Sequence, residues 1–139
     1  MIKDSIIKVL HEHWPNYDIY GDIVKQGFKE PCFFVKQITK YAHNEVATKD
    51  YSESYDIHFF LDQEKEDKDI EYSRIGDTLL WLLELLPIKD NKLIRGKGRS
   101  YEIVDDVMHF YITYDYGTYK FMYSETMETL NIEESVKDE

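Results

Sequence analysis

Few side chains in this sequence are of a kind that does chemistry, and their setting limits what each can do. Cys32 is the single cysteine. With an imidazole beside it, it would be a nucleophile. It stands instead between Pro31 and the run Phe33-Phe34-Val35, and apolar surroundings raise a thiol's pKa and silence it. His11 and His13 lie two apart in a segment of helical pattern, where their side chains diverge, so they do not share a metal ion. His43, His58 and His109 are isolated. His58 and His109 fall in strand-like stretches, from which they could converge across a sheet, and spacing alone leaves that open. Asp105-Asp106 could be paired carboxylates, but between two strands they read as turn residues, because Asp tolerates left-handed φ and bonds its own backbone. The acid-rich run Asp62–Glu71 lacks the spacing and the glycine of a calcium loop. There is no HExxH, no serine in a nucleophile elbow and no P-loop order in Lys89–Arg99. The sequence therefore predicts no catalytic residue, no metal, no cofactor and no small-molecule substrate, and hence no enzyme.

Composition narrows the remaining classes. A chain of 139 residues favours one domain. Its 15% aromatic content, with 12 Tyr, argues against disorder. A formal charge of −11 opposes nucleic-acid binding and favours solubility or a basic protein partner. One cysteine excludes an intrachain disulfide framework and points to a reducing interior. No apolar run approaches the roughly 18–20 residues that span a bilayer. The opening MIKDSIIKVLHEHW carries charges inside its apolar pattern and lacks a signal-peptide core. The expectation is a cytoplasmic protein with no membrane contact.

The elements follow from periodicity. Residues 2–14 predict a helix with Ile2, Ile6, Val9, Leu10 and His13 on one face, ended by Pro15. Cys32–Tyr41 predicts a strand, and residues 42–50 a polar projecting connection. Ser52–Leu61 alternates, with Tyr55, Ile57, Phe59 and Leu61 on one side and Ser54, Asp56, His58 and Phe60 on the other. Ile70–Leu86 predicts the main helix, stopped by Pro87. Leu80, Trp81 and Leu85 lie off its apolar stripe, so either the helix is packed deeply or a second subunit covers them. Lys89–Arg99 reverses the local charge, and Gly96 and Gly98 make it a bend; Lys92, Arg95, Lys97 and Arg99 are either solvated or contact an acidic partner. Ser100–Val104 and Val107–Tyr116 predict a hairpin across Asp105-Asp106, pairing Ile103 with Met108 and Tyr101 with Phe110 on a core face. The acidic tail from about residue 125 predicts at most one short helix and a frayed end. The sum is a single-domain α+β fold, a mostly antiparallel sheet carrying two helices.

The stretch from Asp18 to Ile38 carries the most individual pattern. Gly21 and Gly27 punctuate it, and Pro31 leads into a strand apolar on both faces. Tyr20-Gly21, Gln26-Gly27-Phe28 and Pro31-Cys32-Phe33-Phe34 resemble the signature of the tail terminator family of contractile-tailed phages and prophages of Gram-positive bacteria. Tyr55–Phe60 and Tyr101–Phe110 resemble its next strand and later hairpin, and Met127-Glu128-Thr129-Leu130 resembles its last block. The family often carries Gly where this chain has Asp106. The resemblance implies a tail-terminator-like domain over residues 1–139 that assembles as a homo-oligomeric ring, a hexamer. It also implies contacts with the tail tube protein, the sheath protein and the head-side connector, in a virion tail assembled in the bacterial cytoplasm. Two other classes stay open: a small acidic immunity or antitoxin protein that neutralises a basic toxin and, ranked last, an enzyme using the scattered His and Asp residues.

Overall fold

The computed structural model describes residues 2–21, 27–44, 48–62, 65–119 and 136–137. Two helices, α1 (Ile2–His13) and α2 (Lys68–Leu82), accompany strands β1 (Asp18–Tyr20), β2 (Cys32–Asn44), β3 (Thr48–Phe60), β4 (Leu85–Ile88), β5 (Lys92–Val104), β6 (Val107–Tyr119) and β7 (Val136–Lys137). The strands run β1-β2-β3-β6-β5-β4 across one sheet, with β7 added to β6. The β1–β2 pair is parallel and all the others are antiparallel. This is the expected single-domain α+β fold.

The alternation of β3 decides which face of the sheet is inside. Tyr55, Ile57 and Phe59 are buried, as is Leu61 just beyond, and they join Phe33, Val35, Met108, Phe110, Ile112 and Tyr114 from the neighbouring strands in one core. Ile2, Ile6 and Leu10 of α1 and Tyr72, Ile75 and Leu79 of α2 complete it. His13, expected on the same stripe of α1, is exposed; it sits at the helix end, edge-on to Trp14 at 4.5 Å. The β5–β6 turn is as expected. Asp105 and Asp106 have φ of 52° and 64°, as a two-residue type I′ turn requires. The turn is tied to the start of α2, where Lys68 bonds the Asp106 carboxylate at 2.6 Å and the Tyr72 hydroxyl donates to the Asp106 carbonyl at 2.7 Å.

Four expectations need correction. The main helix ends at Leu82 rather than Leu86. Leu85–Ile88 is β4, and Pro87 lies within it. An edge strand tolerates a proline because one side of its backbone has no ladder to complete. Lys89–Arg99 is not a loop: after a short 3-10 turn (Lys89–Asn91) it enters β5, whose first residues pair with β4 and whose later residues pair with β6. Its two glycines serve that strand. A Cβ on Gly96 would lie 2.4 Å from Ile112 Cδ1, so the residue permits close packing. Gly98, at φ 63°, sits in the register shift between Lys97 and Ser100. The projecting connection of 42–50 is largely strand, since β2 and β3 stay paired out to Asn44 and Lys49. Ile103 pairs with Met108 as expected but is 40% exposed; β4 covers only Lys92–Arg95, so the later part of β5 is the rim of the sheet.

Of the acidic tail, Val136–Lys137 forms a strand on β6, and the expected short helix around Met127–Ile132 and the expected frayed last residues lie outside the described residues.

Candidate interaction surfaces

The described residues of the 20–34 motif pack on both faces of the sheet, and Met127–Leu130 lies outside the described residues. Gly27 has φ 79°, and the chain turns there so that Phe28 reaches the second face of the sheet, with ring centroids 5.4 Å from Phe34 and 5.3 Å from Phe60. Tyr20 stacks on Phe34 at 5.1 Å, and its hydroxyl accepts the Lys29 amide. Gly21 passes close to Ile7 of α1. Phe33 turns inward against Phe59 at 4.6 Å. Pro31 follows a cis peptide bond and leads into Cys32, which is fully buried. Burial, then the charges of Glu30 and Asp18, push the Cys32 thiol up to about 12, far from the thiolate that nucleophilic work needs. Gln26 lies outside the described residues.

The surface candidates separate into an apolar and a basic set. Trp81 is 61% exposed at the end of α2. Leu80, beside it, is half-buried against the core. Leu85 is 43% exposed, but on β4 rather than on the helix. Register pairs Leu85 with Arg95 and Pro87 with Leu93, while the alternate pair Leu86 and Ile94 is buried. Leu85, Pro87 and Leu93 therefore share the outward side of the β4–β5 ribbon, and a loop, as expected for Lys89–Arg99, would give Leu93 no such side.

The basic residues are engaged within the chain. Arg95 meets Glu84 at 2.5 Å, Arg99 bonds the Leu80 carbonyl and approaches Glu84 at 3.4 Å, and Lys97 pairs with Asp115. Lys92 is half-buried where β5 begins.

Two acids on β3 were not picked out by sequence. Glu53, 5% exposed, accepts hydrogen bonds from the Tyr55 hydroxyl and, at 2.5 Å, the Tyr116 hydroxyl, with Lys40 at 3.4 Å. Burial works against its charge, but these donors outweigh it and hold the carboxyl below the usual range. The available signal was an acid on the inward parity of Tyr55 and Ile57. Asp56 lies on the other face between His58 and His109, which the sheet does bring together, ring centroids 4.4 Å apart. Burial again works against the charge, and the two imidazoles more than offset it, leaving Asp56 below its usual value. Finally, an open cleft of about 400 Å³ is lined by Tyr41, Tyr51, Ser52, Lys97, Asp115 and Tyr116. Ser52 donates to Asp115 there at 2.5 Å, but among the described residues no histidine or cysteine lines the cleft to serve as base or nucleophile.

Among the described residues no helix is long and apolar enough to cross a membrane. No curated protein matches the chain. The sequence model of one family, described as phage tail terminator protein, matches residues 1–125, a span that takes in both helices and every strand but β7. That breadth places this chain in the phage tail terminator family, whose members are structural components of the virion tail rather than enzymes.

Proposed function

We propose that the protein caps the tail tube as a ring, limits tail length and presents the surface to which the head joins. The family match over residues 1–125 carries this reading. The family role implies contact with other tail and head proteins; we take these to be the tube protein, the sheath protein and the head-side connector. A hexamer, a contractile tail and a Gram-positive host follow from the motif resemblance at residues 20–34.

The physical logic is one of unlike surfaces. Head-to-tail stacking of rings leaves a free end that keeps growing. A protein that fits that end without repeating it stops growth. This chain offers an outward apolar ribbon, Leu85, Pro87 and Leu93, near a helix that ends in exposed Trp81. On the second face of the sheet it offers polar Ser54, Asp56, His58, His109 and Thr113. We assign the apolar set to subunit contact. Arg95, Lys97 and Arg99 already hold acids of their own chain, so a salt-sensitive contact through them would require exchange of those pairs.

Deleting the gene tests the role. Electron microscopy of the lysate should show tails of uncontrolled length without heads, and supplying the protein in trans should restore both. Uniform tails joined to heads would refute the reading and favour the acidic immunity protein. The mass in solution, by light scattering, tests the ring separately: Trp81→Glu should lower it while leaving the circular dichroism spectrum unchanged.

A further inference from the structure

The two histidines whose convergence spacing left open meet Asp56 on the face of the sheet opposite the helices. Asp56 and His58 are two apart on β3 and so project to the same side, and His109 on β6 is the direct cross-strand partner of His58. His58 Nε2 lies 3.0 Å and His109 Nδ1 3.1 Å from Asp56 Oδ2. One ligand atom from each residue falls within 4.8 Å of the others. We propose that Asp56, His58 and His109 bind a divalent first-row transition ion, with zinc the best fit to the donor set.

Three observations support the assignment. The first is spacing. Zinc at roughly 2.0–2.1 Å from each ligand in a tetrahedron holds neighbouring ligand atoms about 3.3 Å apart; the two carboxylate–imidazole distances are already close to that, and the set as a whole lies within 4.8 Å. The second is alignment. His109 Nδ1 hydrogen-bonds the Asp56 carboxylate, but His58 Nε2 is buried without a hydrogen-bond partner although that carboxylate is near. A hydrogen bond needs the donor aimed along the line to its acceptor. A metal ligand aims instead at the ion, off the line to its fellow ligand. A carboxylate merely bridging two imidazoles accounts for His109 by a hydrogen bond, but for His58 only by a 3.0 Å contact that is not aligned as one. The third is support: β3 and β6 are paired along their length in the middle of the sheet, so the ligands stand on rigid elements.

The donor set also selects the ion. Two imidazoles and one carboxylate suit zinc, nickel, cobalt or iron, whereas calcium and magnesium prefer all-oxygen shells. Three protein ligands leave a fourth position. The side chains of Asp56, His58 and His109 are 15%, 16% and 19% exposed, and water or a donor from another molecule would complete the shell. This conclusion departs from the sequence reading, which excluded a metal on linear spacing; the ligands converge through sheet register instead. It does not depend on the tail role.

The test uses the full chain after chelator treatment, titrated with zinc chloride by calorimetry and with cobalt chloride by visible absorption. Saturable binding of one ion per chain is expected, with a tetrahedral cobalt spectrum. His109→Gln should weaken binding by at least the roughly 10–100-fold that losing even a supporting group costs, and zinc should raise Tm in the parent chain but not in the variant. Should His109→Gln fail to fold, Asp56→Asn, which keeps the side-chain shape, carries the same expectation. His11→Gln with His13→Gln, on exposed positions of α1, should bind as the parent does. The proposal is overturned by absence of saturable binding, by parent-like binding in His109→Gln or Asp56→Asn, or by loss of binding in the α1 variant.

Discussion

The two sides of β3 contrast within a single strand. Toward the helices it presents Glu53, Tyr55, Ile57 and Phe59; away from them it presents Ser54, Asp56, His58 and Phe60. Each side carries one acid. Glu53 is enclosed by two tyrosine hydroxyls and a lysine that all point at it. Asp56 has one imidazole aligned with it and one that is not. The enclosed acid is a finished internal network, which fixes tyrosines of two strands, while the other retains capacity for something further. The contrast shows how one strand can concentrate folding free energy on one face and leave its other face for binding.

The largest test of that contrast is at neighbouring positions of β6. Phe110→Ala, on the helix side, should cost about 3–5 kcal/mol in urea unfolding. Tyr111→Ala, on the opposite side, should cost about 1 kcal/mol or less. Equal losses would erase the distinction between the faces.

Next in size is Glu53→Ala, which leaves the Tyr55 and Tyr116 hydroxyls and Lys40 without their acceptor and should cost about 1–3 kcal/mol. Glu53→Gln sharpens the point through pH. The folded Glu53 carboxyl lies below its ordinary 4.5, so its contribution is complete above that value and is lost as pH falls through the lowered one. The variant should therefore show a flatter loss of stability below about pH 4.5; an unchanged acid limb would remove Glu53 from the account.

At the alkaline end, burial raises the Tyr55, Tyr114 and Tyr116 hydroxyls, with Glu53 adding to the first and last. In the unfolded chain these groups ionise near pH 10. Stability should be complete below that and fall above it, by up to about 1.4 kcal/mol per pH unit for each tyrosine. Tyr114→Phe, which also loses the bond from its hydroxyl to the Leu83 carbonyl, should show a shallower alkaline slope in denaturant midpoints. The smallest effect is expected at Arg95→Ala, where the exposed pair with Glu84 should be worth about 0–1 kcal/mol.

Local rules made much of the fold legible. The i, i+4, i+8 spacing of Ile2, Ile6 and Leu10 gave α1, strict alternation gave the parity of β3, and Asp105-Asp106 gave the turn. The errors arose where one local signal serves two structures. Leu82-Leu83-Glu84-Leu85-Leu86 satisfies a helical stripe and an apolar strand alike, and Pro87 ends a helix as readily as it fits an edge strand. Gly96 and Gly98 look like loop residues, although one admits a neighbouring side chain and the other shapes a bulge. The polar cluster at Asp56 was beyond reach for a different reason. Its geometry depends on which residue of β6 lies opposite His58, and cross-strand register is set by the whole hairpin arrangement rather than by nearby sequence.

The placement of the two tryptophans has an optical consequence. Trp14 lies 5.0 Å from Phe33 of the core, while Trp81 stands exposed at the end of α2. Indole emission shifts with the polarity of its surroundings, so the molecule carries separate internal reporters of its interior and its surface. With Trp81 replaced by Phe, fluorescence follows the packing of Trp14 against Phe33 and His13. With Trp14 replaced by Phe, it follows whatever comes to cover the helix end, and the difference between the two signals measures assembly without an added label.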